Sequence, residues 1–122
     1  MTRSRTGGGD PVAGLLALSG AIAVIAGAYG AHGAHGDAAE WLRTGAQYGM
    51  IHAVAGLVAL QAGRKGARGI AGLFLLGSAI FSGTLYAMAL GGPRILGAVT
   101  PIGGLAMILG WMWLAVVLLR GR

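Results

Sequence analysis

The sequence predicts an all-α integral membrane protein, a four-helix bundle with short loops and both termini on one side. Two independent observations predict it. Four apolar stretches, roughly Pro11–Ala31, Gly45–Gly63, Gly69–Gly92 and Leu96–Leu119, each approach the ~20 residues a helix needs to cross a bilayer's hydrocarbon core. Seven of the nine Lys and Arg residues (Arg3, Arg5, Arg64, Lys65, Arg68, Arg120 and Arg122) fall in the N-tail, the second connection and the C-tail. Four crossings put those three segments on one side, and only Arg43 and Arg94 on the other. The excess of cations places the first side, with both termini, in the cytoplasm.

Composition narrows the class. Hydrophobic residues make up 56% of 122, and 25 more are Gly, too much apolar surface for a soluble chain of one domain to hide. A net charge of +6 would suggest nucleic acid in a soluble protein. Here the cations flank spans, where they set topology and meet anionic lipid. No basic patch with interleaved aromatics accompanies them, so no nucleic-acid partner is expected. The absence of Cys excludes disulfides, thiolate metal sites and Cys nucleophiles.

The elements follow in order. Residues 1–10 read as a flexible, basic, Gly-rich tail, and residues 11–122 as one transmembrane domain. Arg3, Arg5 and the apolar run after them imitate a signal peptide. The run exceeds the roughly 7–15 residues of a typical signal core, so it reads as an uncleaved first helix over 11–31. Pro11 suits its first turn. Gly30, Gly33 and Gly36 then suggest a loop. Asp37 and Glu40 look like an acidic N-cap with its reciprocal partner, opening a short interfacial turn through Trp41, Leu42 and Arg43. Helix 2 is expected over 44–63, ending before the basic turn, and helix 3 over 69–92, stopping at Gly91-Gly92-Pro93. The fourth span covers 97–119. Either Thr100 caps a helix that starts at Pro101 after a short outer piece, Ile95–Val99, or Pro101 kinks a longer helix. The first reading is preferred, because Pro101–Leu119 still spans about 28 Å.

Small residues recur at four-residue spacing: Ser19/Ala23/Gly27/Ala31, Gly45/Gly49/Ala53, Ala79/Gly83/Ala87 and Ala106/Gly110. Such faces let helix backbones approach where lipid removes the hydrophobic drive. Packing within one bundle explains them most simply. There are more faces than one bundle needs, which points to a homo-oligomer or a larger membrane complex.

Helix 2 carries the polar residues. Thr44, Gln47, Tyr48 and His52 share one face, and an ionisable residue at that depth is a functional-site hypothesis. The stripe could relay protons, hold a small polar ligand or ligate a metal. The plainer reading is hydrogen bonding between helices, with Ser78, Ser82, Thr84 or Thr100 as partners of His52. No carboxylate lies at depth, since the acids are Asp10, Asp37 and Glu40. In the outer loop His32, His35, Asp37 and Glu40 supply zinc-type donors, but their spacing is unspecific and a Gly-rich turn explains them. A haem would need a second deep His, so neither metal nor cofactor is assigned. Ser82 lacks a base and an oxyanion hole nearby, and no phosphate loop is present. No enzyme is expected. Arg94 is placed to reach outer head groups or to pair with Asp37 or Glu40.

The segments Ala28-Tyr29-Gly30-Ala31-His32-Gly33, Thr44-Gly45-Ala46-Gln47-Tyr48-Gly49-Met50-Ile51-His52-Ala53, Phe81-Ser82-Gly83-Thr84-Leu85-Tyr86, Thr100-Pro101-Ile102-Gly103-Gly104 and Gly110-Trp111 are specific as an ordered set. Together they resemble the small bacterial inner-membrane proteins grouped as domain of unknown function 423, which have mitochondrial relatives. The resemblance implies a four-helix protein of the bacterial cytoplasmic membrane and brings no activity with it. It also gathers Gln47, Tyr48, His52, Ser82, Tyr86 and Thr100, with His32, as candidates for one shared feature in the outer half. Two functions fit. One is a non-enzymatic accessory or structural protein that packs through Gly/Ala-rich faces. The other is a protein that binds or transports a small solute, lipid or proton at an outer-facing site around His52.

Overall fold

The computed structural model describes residues 8–121. Most of the tail expected over 1–10, with Arg3, Arg5 and also Arg122, lies outside the described residues. Four helices follow: α1 (Pro11–His32), α2 (Gly36–Ala62), α3 (Ala67–Ala89) and α4 (Thr100–Arg120), with a 3₁₀ turn at Arg94–Ala98 before α4. Asp10 caps α1, its carboxylate accepting from the amides of Val12 and Ala13. Gly63 ends α2 in the left-handed region at φ +66°, where a side chain would be strained.

α2 and α3 form the central pair. α1 lies along α2 and touches α3, while α4 lies along α3. Neither outer helix packs a long seam against the other. Consecutive helices are antiparallel. Arg68 at the start of α3 therefore reaches Asp10 at the start of α1 (3.0 Å), and at the other end Arg94 reaches Asp37 (3.4 Å).

Three stretches are long and apolar enough to cross a membrane: α1, α3 and the Arg94–Arg120 segment. α2 falls short in apolarity, not in length, since 27 residues rise about 40 Å. Of the polar groups that lower its hydropathy, His52 is buried in the bundle, while Gln47, Tyr48 and Gln61 are exposed.

Two expectations are corrected here. α2 begins at Gly36, not at residue 44, and runs unbroken through Trp41–Arg43, so there is no separate interfacial turn. Asp37 sits in its first turn and His35 occupies the N-cap position, without a side-chain cap bond. The glycine taken for a loop residue, Gly30, is helical. A Cβ there would stand 3.0 Å from the Leu42 Cβ and 3.3 Å from the Ala39 carbonyl oxygen. Gly30 therefore lets α1 press on the first turns of α2, which buries Ala39 and Leu42 and keeps those turns helical. The second correction is Thr100. Val99 is the N-cap and Thr100 the first helical residue. The short piece expected before α4 is present, as 3₁₀ structure over Arg94–Ala98.

The seams are built from small residues. Gly20 faces Ala53, Gly27 faces Ala46, and Leu16 is fully buried over Gly56, all between α1 and α2. Between α3 and α4 the backbones nearly touch: a Cβ on Gly77 would lie 2.9 Å from the Gly103 carbonyl oxygen, and one on Gly103 would collide with the backbone of Phe81 and Gly77. Ala79 and Gly83 are exposed on α3, so that expected small face belongs to no seam within the chain. Two buried clusters result. One joins Ala23, Ala26, Leu42 and Ala46, the other Ala59, Ile70 and Phe74, and His52 lies between them in sequence and contact.

Candidate functional site

The polar stripe of α2 divides when the helices pack. His52 is 4% exposed. Thr44 is half-buried, while Gln47 and Tyr48 are exposed. Helical geometry brings the His52 ring back over the preceding turn, where its Nδ1 lies 2.7 Å from the Tyr48 carbonyl oxygen. On the other side the Trp111 indole nitrogen lies 2.9 Å from Nε2. A carbonyl only accepts and an indole N–H only donates. Nδ1 therefore carries the proton, Nε2 accepts, and the imidazole is neutral with both nitrogens engaged.

Aromatic rings enclose this bond. Phe74 meets His52 edge-on at 5.4 Å between centroids and Trp111 at a tilt at 4.8 Å, while Tyr48 stacks on His52 at 6.3 Å and meets Phe81 at a tilt at 5.0 Å. These separations suit edge and offset contacts. Gly110 makes the approach possible, because a Cβ there would lie 2.8 Å from the Phe74 ring.

The expected partners of His52 do not meet it. The Ser78 hydroxyl donates to the Leu75 carbonyl oxygen in its own helix, at 3.3 Å. The Ser82 hydroxyl, buried, donates to the Gly45 carbonyl oxygen at 2.7 Å and ties α3 to α2. Tyr86 lies alongside: its ring covers Gly45, and its hydroxyl and that of Ser82 both stand over Gly49. Thr84 and Thr100 share a bond of 2.6 Å that ties α3 to α4. Each hydroxyl also reaches a carbonyl oxygen one turn back, Ile80 for Thr84 and Leu96 for Thr100. The distance to His52 follows from register, since Ser82, Thr84 and Thr100 lie nearer the Arg94 end of the bundle than His52 does. Ser82, Thr100 and His52 thus belong to three separate ties, and Ser82 and Tyr86 together line a groove between α1 and α3 that His52 and Thr100 do not reach.

Trp111 is the residue sequence reasoning missed. A signal was present: His52 follows Asp37 by 15 residues and Trp111 follows Arg94 by 17. Pairing Arg94 with Asp37 sets α2 and α4 parallel and brings the two rings to similar depth. The end of the bundle that holds Arg94 is a surface of exposed ion pairs. Arg94 bonds Asp37 and stands 5.2 Å over the Trp41 ring, and Arg43 lies 3.6 Å from Glu40. His32 and His35 are exposed at the α1–α2 connection. Among the described residues no three His, Asp or Glu side chains gather as a metal-holding group.

Comparison with known proteins finds relatives named as membrane proteins. A UPF0382 membrane protein of Haemophilus influenzae is 43% identical over 108 residues, covering 83% of this chain and 87% of that one. The UPF0382 membrane protein YwdK of Bacillus subtilis is 38% identical over 82 residues, 63% of this chain and 67% of the relative. The UPF0382 inner membrane protein YgdD of Escherichia coli is 39% identical over 84 residues, 66% and 64% respectively. No solved structure matches the chain. The family described as protein of unknown function (DUF423) matches residues 26–104, and the chain belongs to that family of membrane proteins. The match takes in the α2 stripe, Ser82, Tyr86 and Thr100, and ends before Trp111.

Proposed function

We propose that this protein is a non-enzymatic accessory or structural component of the bacterial cytoplasmic membrane, with its polar interior serving to fix helix register. The observation that carries this reading is the His52 ring, neutral, buried, and bonded through both nitrogens to Tyr48 and Trp111. A solute or proton site at His52 would have to break one of those bonds. The Ser82 hydroxyl is likewise committed, to a backbone carbonyl and not to a base. The basic end, with Arg64, Lys65, Arg68 and Arg120 against Asp10 alone among the described residues, supports an orientation with both termini in the cytoplasm. The exposed faces of α1 and α4, rich in Leu, Ile and Val, are free to meet lipid, a second copy or a larger complex.

Two measurements test the reading. Native mass spectrometry of protein released gently from its own membranes is expected to show assembly with itself or with other subunits at fixed stoichiometry. His52→Phe is expected to weaken that assembly or the fold, and His52→Gln, which retains a hydrogen-bonding group, to restore much of it. A monomer carrying a retained small solute, together with His52→Ala that leaves stability unchanged, would overturn it in favour of binding or transport.

A further inference from the structure

The face between α1 and α3 holds a groove of about 450 Å³ that opens outward from the bundle. Leu18 and Ile22 form one wall, Gly72, Leu76, Ala79 and Gly83 the other. It extends down α3 from Gly72 to Tyr86, 14 residues apart and so about 21 Å, longer than the ~15 Å of one leaflet's acyl region. Arg68, one turn before Gly72, continues the same stripe of α3 as Gly72, Leu76, Ala79 and Gly83. Its guanidinium, one turn beyond the residues that line the groove, is held by Asp10, both carboxylate oxygens of which lie 3.0 Å from Nη1. Nη2 and Nε have no partner among the described residues. Arg64 joins Arg68 and Asp10 in an open recess beside this end, and neither Arg64 nor Lys65 forms an ion pair among the described residues.

A mostly apolar groove long enough to take an acyl chain through one leaflet, with cations one turn beyond its lining, is complementary to one class of molecule. We propose that this face binds an anionic glycerophospholipid, its phosphate at Arg68 and Arg64 and one acyl chain along the α1–α3 groove. Charge disfavours a second copy as the occupant. A two-fold pair with parallel α3 helices would bring Arg64 and Arg68 of both copies to the same end of the contact, where like charges repel. A phosphate there is attracted by the same groups. The inference is independent of the role assigned to His52.

The test is native mass spectrometry of delipidated full-length protein titrated with phosphatidylglycerol and, separately, phosphatidylethanolamine of matched chains. The wild type is expected to retain one phosphatidylglycerol with a preference of about thirtyfold over phosphatidylethanolamine, the scale that two interfacial cations supply. The Arg64→Gln/Arg68→Gln double variant is expected to bring that preference to within about twofold. Asp10→Asn, which removes the ion pair and keeps both cations, should leave the preference in place and so separates head-group binding from loss of the Arg68–Asp10 tie. Gly72→Leu/Gly83→Leu fills the groove without a clash, because nothing lies within 4 Å of a Cβ at either position. It is expected to weaken binding of both lipids about fivefold or more, while circular dichroism stays helical. Equal retention of the two lipids by the wild type, or a preference that survives the double Gln variant, overturns the head-group site. Unchanged lipid binding in the double Leu variant, or loss of a homodimer in its place, overturns the groove.

Discussion

The seam between α1 and α2 and the seams joining α2, α3 and α4 are held by different means. α1 meets α2 through Leu16, Gly20, Ala23, Gly27 and Gly30, and no side chain of α1 makes a hydrogen bond within the bundle among the described residues. The other three helices are cross-tied by Ser82 to Gly45, Thr84 to Thr100 and Trp111 to His52. In lipid both devices serve, because close backbones gain dispersion energy and buried polar groups need partners. They differ in what they specify. A face of repeating Gly and Ala fits its neighbour nearly as well after a slip of two turns. An indole N–H aimed at one imidazole nitrogen fits in one register only. On the proposed reading, register is set by α2, α3 and α4, and α1 follows.

The largest effect is expected at Gly103. Leu at this position drives α4 off the backbone of Phe81 and Gly77, where nothing flexible can yield. A loss of about 3 kcal/mol or more is expected, read as a lowered melting temperature in detergent. Gly83→Leu, on an open face of the same pair, should change little. Next is His52→Ala, which removes both bonds and leaves the Trp111 N–H without its partner, for a loss of about 2–3 kcal/mol.

Gly30→Leu sharpens the contrast. It should wedge α1 from Leu42 at a cost of about 1–3 kcal/mol, yet leave the Trp111 fluorescence maximum in place. A shift of that maximum would mean that α1 helps set the register of the other three. Trp111→Phe keeps the ring packing and deletes the donor, so a smaller loss of about 1 kcal/mol is expected.

The weakest tie of α1 is at its end. The bond from Arg68, and then the Ala13 amide, hold the Asp10 carboxyl below its ordinary 3.8. A lowered value means that the contribution is whole above pH 3.8 and fades as pH falls below it, toward the depressed value. The stability difference between wild type and Asp10→Asn should shrink over that range, and a difference that grows on acidification would reverse the sign assigned here.

Much of this was legible in the sequence, and what was not shares one cause. α1, α3 and α4 are bounded to within a few residues by their apolar runs. The start of α2 was misplaced because Gly30 and Gly36 look like loop residues until it is known that Leu42 packs on Gly30. His52 stood out as a buried polar group on hydropathy alone. Its partner did not, since Trp111 reaches it from α4, which lies along α3 and not along α2. Thr100 was read locally as a cap, whereas its hydroxyl meets Thr84 across a seam. Local signals fix what a residue is suited to, and helix packing decides which neighbour uses it.

The most direct test of the structural role of His52 is isotope-edited NMR of nitrogen-labelled histidine in the full-length protein in bilayers. The neutral tautomer with the proton on Nδ1, and Nε2 accepting from the Trp111 indole, is expected as a single form that loses its Nε2 hydrogen-bond shift in Trp111→Phe. A proton on Nε2, an imidazolium, or a ring indifferent to Trp111→Phe would contradict the account.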